Sequence, residues 1–246
     1  MALSYSCPIC KDTGIELKVV DGHEVARDCS CGLLKRQQLE NQLKYASIPE
    51  NFKDMRLSSF RLDVYENKTI ANTMVKMIKY WLNNLDQMKS DGIGLYLFSE
   101  NKGSGKTRMA ASIANELMQA KSMPVKFSTS IQIINEIKST WDNDGITENK
   151  LLNVLSTIEV LVIDDFGTET VKDWITDRFY HIVNERYVRK LMTIYTSNKS
   201  LANLNYDERI KNRILESTLQ IPFPEESVRV QIANARQEEM IRAIKE

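Results

Sequence analysis

The stretch Gly94-Leu95-Tyr96-Leu97-Phe98-Ser99-Glu100-Asn101-Lys102-Gly103-Ser104-Gly105-Lys106-Thr107 decides the fold. An apolar run enters a loop with two glycines and a Lys-Thr pair. Residues 107–121 follow with helical spacing, placing Ile113, Leu117 and Met118 on one side. Strand, loop and helix in that order are the context in which such a loop cradles phosphate. Gly103 and Gly105 let the backbone curl so that successive N–H groups point at phosphate oxygens. Asn101, Lys102, Gly103, Ser104, Gly105 and Lys106 are therefore expected around a nucleotide's phosphates. Lys106 would reach the β- and γ-phosphates, and Thr107 would offer its hydroxyl to Mg2+. The first position of the pattern G-x-x-x-x-G-K-[ST] is Glu100 instead of glycine. Glu100 must take a backbone conformation open to a full side chain and turn its carboxylate away from the phosphates.

Two further strand ends point to the same chemistry. Val160-Leu161-Val162-Ile163-Asp164-Asp165 is an apolar run ending in two carboxylates. Asp164 would hold Mg2+ through water, and Asp165 would orient the attacking water. Thr193-Ile194-Tyr195-Thr196-Ser197-Asn198 ends in polar residues, and Asn198 could bond the γ-phosphate or that water. Asp165-Phe166-Gly167 spells the D-F-G of protein kinases, but the H-R-D loop and the G-x-G-x-x-G hairpin of that class are missing, so the match is incidental.

Working outward, the chain alternates. Strands are expected at 94–98, 124–128, 160–163, 192–195 and 219–221. Helices are expected at 67–89, 107–121, 131–141, 149–156, 172–190, 206–216 and 227–245, with a loop at Asp142-Asn143-Asp144-Gly145. Short, uniformly apolar strands alternating with helices predict an α/β fold: a parallel sheet flanked by helices on both faces. With 42% hydrophobic and 27% charged residues, the 246-residue chain is neither disordered nor collagen-like. Lys+Arg 33 against Asp+Glu 33 leaves a formal charge of zero, so bulk electrostatics do not announce nucleic acid; binding would need a local basic strip. No long apolar run or secretory leader is evident, so the expected location is cytoplasmic, with no membrane partner.

All four cysteines lie at the front: Cys7 and Cys10 as C-x2-C, Cys29 and Cys31 as C-x-C. Two close pairs joined by a short loop suit a tetrahedral Zn2+ ion. His23 could replace one thiolate. Stable disulfides are disfavoured inside a cell, and a redox C-x-x-C would open a helix in a βαβ unit. With four protein ligands the ion would be structural, and it would supply folding energy to a segment too small for its own core. A polar helix from Leu33 to about Tyr45 follows, then a break at Pro49.

Together the phosphate loop, the paired-Asp strand and the Thr-Ser-Asn strand resemble an AAA+ ATPase. More narrowly, the chain resembles the DnaC/DnaI-type replicative helicase loaders. Cys7-Pro8-Ile9-Cys10-Lys11-Asp12-Thr13-Gly14 and Ala26-Arg27-Asp28-Cys29-Ser30-Cys31 resemble the zinc module of phage and Gram-positive members. Ile48-Pro49 with Phe52 and Phe60 resembles the entry to the ATPase core. The most specific pieces are Val162-Ile163-Asp164-Asp165-Phe166-Gly167 and Ile182-Val183-Asn184-Glu185-Arg186-Tyr187 continuing to Thr196-Ser197-Asn198.

The resemblance implies ATP, Mg2+ and Zn2+ as cofactors, and ATP hydrolysis as the activity. It implies a DnaB-like hexameric replicative helicase and single-stranded DNA as partners, and self-association into an AAA+ oligomer on the helicase. Arg213, with Arg209 as second choice, would act on a neighbouring subunit's γ-phosphate; the bland reading is a solvated helix face paired with Asp207 and Glu208. Arg229 would resemble a sensor-II arginine. Residues 1–45 would dock the helicase, 46–60 would link, and 61–246 would form the ATPase. Lys121, Lys126 and Lys138 are candidates for touching DNA. The alternatives are an IS21-type transposition helper ATPase and a non-hydrolysing, ATP-switched adaptor.

Overall fold

The structure, a computed structural model, describes residues 5–34, 46–141 and 147–245. Most of the expected helix after Leu33 and the loop at 142–145 lie outside them. The chain forms two compact units, Met1–Ala46 and Ser47–Glu246.

The first unit holds β1 (Ile15–Val20) paired antiparallel with β2 (His23–Asp28). Asp21 and Gly22 join them, both at positive φ (51° and 81°). That is the backbone of a type I′ hairpin turn, which Asp-Gly favours. No strand was expected in this segment.

The second unit is built on a five-stranded sheet in the order β4-β5-β6-β3-β7. The strands are β3 (Gly94–Phe98), β4 (Val125–Thr129), β5 (Val160–Asp164), β6 (Met192–Ser197) and β7 (Thr218–Pro222), all paired parallel. Val160, Leu161, Val162 and Ile163 are each fully buried. Such burial contributes roughly 1.5–3 kcal/mol per side chain, enough to select a central strand. Eight helices, numbered among the described residues, cover and connect the sheet: α1 (Lys68–Asn83), α2 (Leu85–Asp91), α3 (Lys106–Lys121), α4 (Ser130–Ser139), α5 (Glu148–Thr157), α6 (Asp173–Val188), α7 (Glu208–Ser217) and α8 (Val228–Lys245).

Where the sequence predicts one helix over 67–89, the chain breaks at Asn84 (φ −110°, ψ 28°). The Asn84 side-chain amide donates to the Tyr80 carbonyl at 2.8 Å, the local competition that makes asparagine a poor interior helix residue. Phe166 of the false kinase motif lies wholly in the core. It stacks on Tyr206 (4.9 Å, 2° between planes) and meets Phe179 edge-on.

Arg186, on α6, is buried, and its partners among the described residues are uncharged acceptors. Its guanidinium donates to Leu155 O (2.9 Å), Ile158 O (2.7 Å), Met192 O (2.7 Å) and Thr193 Oγ1 (2.8 Å). Leu155 and Ile158 close the C-terminal end of α5, whose free carbonyls and dipole attract a cation. Burial pushes the guanidinium down to about 10, leaving it charged at neutral pH. One side chain thus joins α5, α6 and β6, a physical reason for the arginine in that stretch. Arg186→Met strands these acceptors and is expected to cost about 3 kcal/mol or more, read from the urea midpoint. A loss below about 1 kcal/mol would show the network to be dispensable.

Candidate nucleotide site and cysteine cluster

The carboxyl end of β3 leads into the phosphate loop, which closes on α3. Gly103 (φ 83°) and Gly105 (φ 94°) hold the left-handed conformations that the curl requires. Lys102, Gly103, Ser104, Gly105, Lys106 and Thr107 line one side of a cleft of about 520 Å³. Lys106 is buried, and its ammonium donates to Ser99 O (3.2 Å), Asn101 O (3.1 Å) and Ser104 Oγ (3.1 Å). Burial lowers its pKa, opposed by the carboxylates of Asp165, Glu225 and Asp164. Tyr65 steadies the loop from outside by donating to Ser104 O at 2.6 Å.

Asp164 ends β5 and is 4% exposed. Burial raises its pKa, while hydrogen bonds from Thr196 and Thr107 pull it down. Thr196 Oγ1 donates to Asp164 Oδ1 at 2.6 Å and accepts from the Asp165 N–H at 3.0 Å. Asp165 sits at φ 53°, a conformation that aspartate tolerates better than most residues. The turn is fastened to β6: the Phe166 N–H donates to Thr196 O (2.8 Å), and Ser197 Oγ donates to Phe166 O (2.7 Å). Asp165 and Asn198 both reach the cleft wall. Arg229, Val228, Ile232 and Phe52 also line it, the last three offering apolar surface.

The expected site residues divide into three groups. Lys102 to Thr107, Asp165, Asn198 and Arg229 share the cleft, and Asp164 lies behind it beside Thr107. Asn101 lies beside the cleft, its carbonyl on Lys106 and its N–H on Glu225. Arg209 and Arg213 lie elsewhere. Arg209 pairs with Asp207 (2.7 Å) over the Tyr180 ring, and Arg213 reaches Glu216 (3.7 Å) over the Tyr187 ring. Among the DNA candidates, Lys126 donates to Ser47 and Lys138 lies over Trp174.

Glu100 meets both demands placed on it. It is absent from the residues at positive φ, and its carboxylate accepts from Asn203 Nδ2 (3.3 Å) outside the cleft lining. Sequence reasoning missed Thr196 as the orienter of both acids, although it sits inside the quoted Thr-Ser-Asn run. It also missed Glu225, which nothing in a local pattern marks.

In the first unit the Sγ atoms of Cys7, Cys10, Cys29 and Cys31 all lie within 4.8 Å of one another. The Sγ atoms of Cys7 and Cys29 are 3.8 Å apart, and those of Cys10 and Cys31 3.7 Å. A tetrahedron with metal–sulfur bonds of about 2.3 Å has edges of about 3.8 Å, so the donor set fits Zn2+. The Asp12 carboxylate braces the first pair, accepting from the N–H groups of Ser6 (3.0 Å) and Cys7 (2.9 Å). His23 pairs with Val20 at the turn end of the hairpin, apart from the cluster.

A parallel sheet with a phosphate loop, an acid-tipped strand and a Thr-Ser-Asn strand meeting at one cleft defines a nucleotide-binding protein of the AAA+ class. The chain belongs to the family of IstB-like ATP binding proteins, whose pattern matches residues 35–233. It is 28% identical over 222 residues to the phage-like element PBSX protein XkdC of Bacillus subtilis, covering 87% of this chain and 80% of that one. It is 32% identical over 143 residues to the replicative helicase loader DnaC of Escherichia coli, covering 57% of this chain and 58% of the loader. The chain therefore spans little more than half of that loader. In fold it is similar to the crystal structure of the DnaC helicase loader (TM-score 0.60, 24% identity), covering 71% of this chain and 99% of that one. No helix among the described residues is long and apolar enough to cross a membrane.

Purified chain is expected to release one equivalent of zinc to a chromophoric chelator on thiol oxidation, and Cys29→Ser is expected to abolish stable retention. Metal-free wild-type protein with an unchanged fold of the first unit would overturn the assignment.

Proposed function

We propose that this chain is an ATP-hydrolysing loader that binds a DnaB-like hexameric replicative helicase and helps deposit it on single-stranded DNA during replication initiation. One observation carries the reading: Lys106, Thr107, Asp165 and Asn198 meet at one cleft, in a chain whose relatives bear the name replicative helicase loader.

In this reading the loop amides and Lys106 bind the triphosphate, and the apolar surface of Phe52, Val228 and Ile232 receives the base. Asp165 orients the attacking water, held in place by Thr196. Asn198 donates to the γ-phosphate or to that water. Mg2+, held by Thr107 and Asp164, would neutralise charge on the β- and γ-phosphates. The hydroxyl of Thr107 beside the buried Asp164 carboxylate is an oxygen pair suited to a hard dication. Arg229 approaches the same nucleotide from α8. Arg213, or Arg209 in its place, reaches a neighbour's nucleotide in a self-associated ring on the helicase. Residues 1–45, with their Zn2+ site, dock the helicase; 46–60 link; 61–246 are the motor. The expected location is cytoplasmic.

The IS21-type transposition helper is not favoured, because relatives that carry a functional name include several replicative helicase loaders. Turnover in the presence of single-stranded DNA and helicase separates a motor from a non-hydrolysing adaptor.

Lys106→Ala is expected to abolish nucleotide binding or turnover; ATP hydrolysis at the wild-type rate would end the site assignment. Arg213→Ala is expected to cut helicase-stimulated turnover by at least about tenfold while leaving nucleotide affinity intact. A chain lacking residues 1–45 should fail to capture the helicase in a pull-down with ATP, and capture by the truncated chain would refute the docking role.

A further inference from the structure

The phosphate loop is held from outside by a carboxylate that no sequence pattern announces. Glu225 follows the edge strand β7. Its Oε1 accepts from the Glu100 N–H at 2.9 Å, and its Oε2 accepts from the Asn101 N–H (2.9 Å) and from Ser99 Oγ (3.1 Å). These are the first residues of the loop. Glu100 and Asn101 do not line the cleft, whereas Lys102 to Thr107 do. The same segment closes on the loop again at its start into α8. The Arg229 N–H donates to Gly103 O at 3.3 Å, and a Cβ on residue 103 would lie 2.7 Å from Ser227 Oγ. Its neighbour Glu226 makes a similar clamp on a different target, accepting from the N–H groups of Glu66 (2.7 Å) and Asn67 (2.8 Å) at the start of α1.

We propose that Glu225 is the positioning residue that sets the entry of the phosphate loop, where the usual glycine is replaced by Glu100, and that it locks the loop to the helix carrying Arg229. A carboxylate accepting two consecutive amides is a charge-assisted, bidentate brace. It fixes the direction in which the chain leaves β3, so the remaining loop amides face the cleft. It also makes the loop and the Arg229 wall one body. The inference rests on the nucleotide-binding reading of the cleft.

The test uses the full chain, a fluorescent ATP analogue with Mg2+, and thermal melting. Glu225→Gln keeps the shape but sets an NH2 against one amide N–H. It is expected to weaken analogue affinity about tenfold, with turnover at saturating ATP within about twofold of wild type. Glu226→Gln is expected to lower the melting temperature by at least as much while leaving affinity within about twofold. Unchanged affinity in Glu225→Gln overturns the proposal, as does equal weakening by Glu226→Gln, which would reduce the effect to loss of segment stability. Should Glu225→Gln fail to fold, Glu225→Asp is read instead: about threefold weaker binding supports the brace and wild-type binding overturns it. Wild-type chain that fails to bind the analogue would overturn the nucleotide reading itself, and this inference with it.

Discussion

The register between β5, β6 and β3 is the constraint on which the cleft depends. Ile163 pairs with Tyr195, and Phe98 pairs with Ser197. Asp164 and Thr196 are the next residues on their strands, so carboxylate and hydroxyl come side by side at 2.6 Å. A slip of one residue would turn every side chain of β5 to the opposite face. Close packing of Val160 to Ile163 against the layers on both faces selects one register. The apolar core thus does chemical work at a distance: it sets the level at which the three strands stop, and the polar residues just past those stops can only meet.

That convergence has an electrostatic cost. Lys106 and Asp164 are both withdrawn from water, and each pKa moves toward its neutral form. The arrangement is tolerable because the ammonium is given three oxygen acceptors and the carboxylate two hydroxyl donors. Arg186 solves the same problem without any counter-charge, using the carbonyls at the end of α5. The two solutions differ in purpose: Arg186 is buried among three carbonyls and a hydroxyl, whereas Lys106 lines a cleft where stronger anionic acceptors can replace its present ones.

The α/β class and the meeting of the glycine-containing loop with polar strand tips at one cleft were legible because they rest on local signals: apolar strands, a glycine-containing loop, and polar residues at strand tips. Boundaries shifted by a residue or two where caps decide them, as at Lys106 and Glu148. The split at Asn84 was obscured because Ile70, Met74, Met77, Trp81 and Leu85 keep a helical stripe running straight through it. The hairpin at the front was obscured for a different reason. The cysteine spacing dominates that segment and masks Asp21-Gly22, a turn signal between Val19-Val20 and Val25. Glu225 was out of reach altogether, since its partners at 99–101 lie more than a hundred residues away in sequence and only the pairing of β7 with β3 brings them together. Long-range polar braces have no periodicity.

The arginines of α7 are held in place by aromatic rings, away from the cleft. Ile210 and Ile214 anchor the helix in the core. Arg209 and Arg213 project from it and are steadied over the rings of Tyr180 and Tyr187 on α6, at 4.6 and 4.4 Å. A flexible side chain so held gives up less freedom when it meets a phosphate. The base of the helix is tied to the Asp165 turn through Glu169. That carboxylate accepts from Ser130 Oγ (2.6 Å), the Gly167 N–H (3.1 Å) and the hydroxyl of Tyr206, just before α7. Glu169 therefore links the Asp165 turn to the segment that leads into α7.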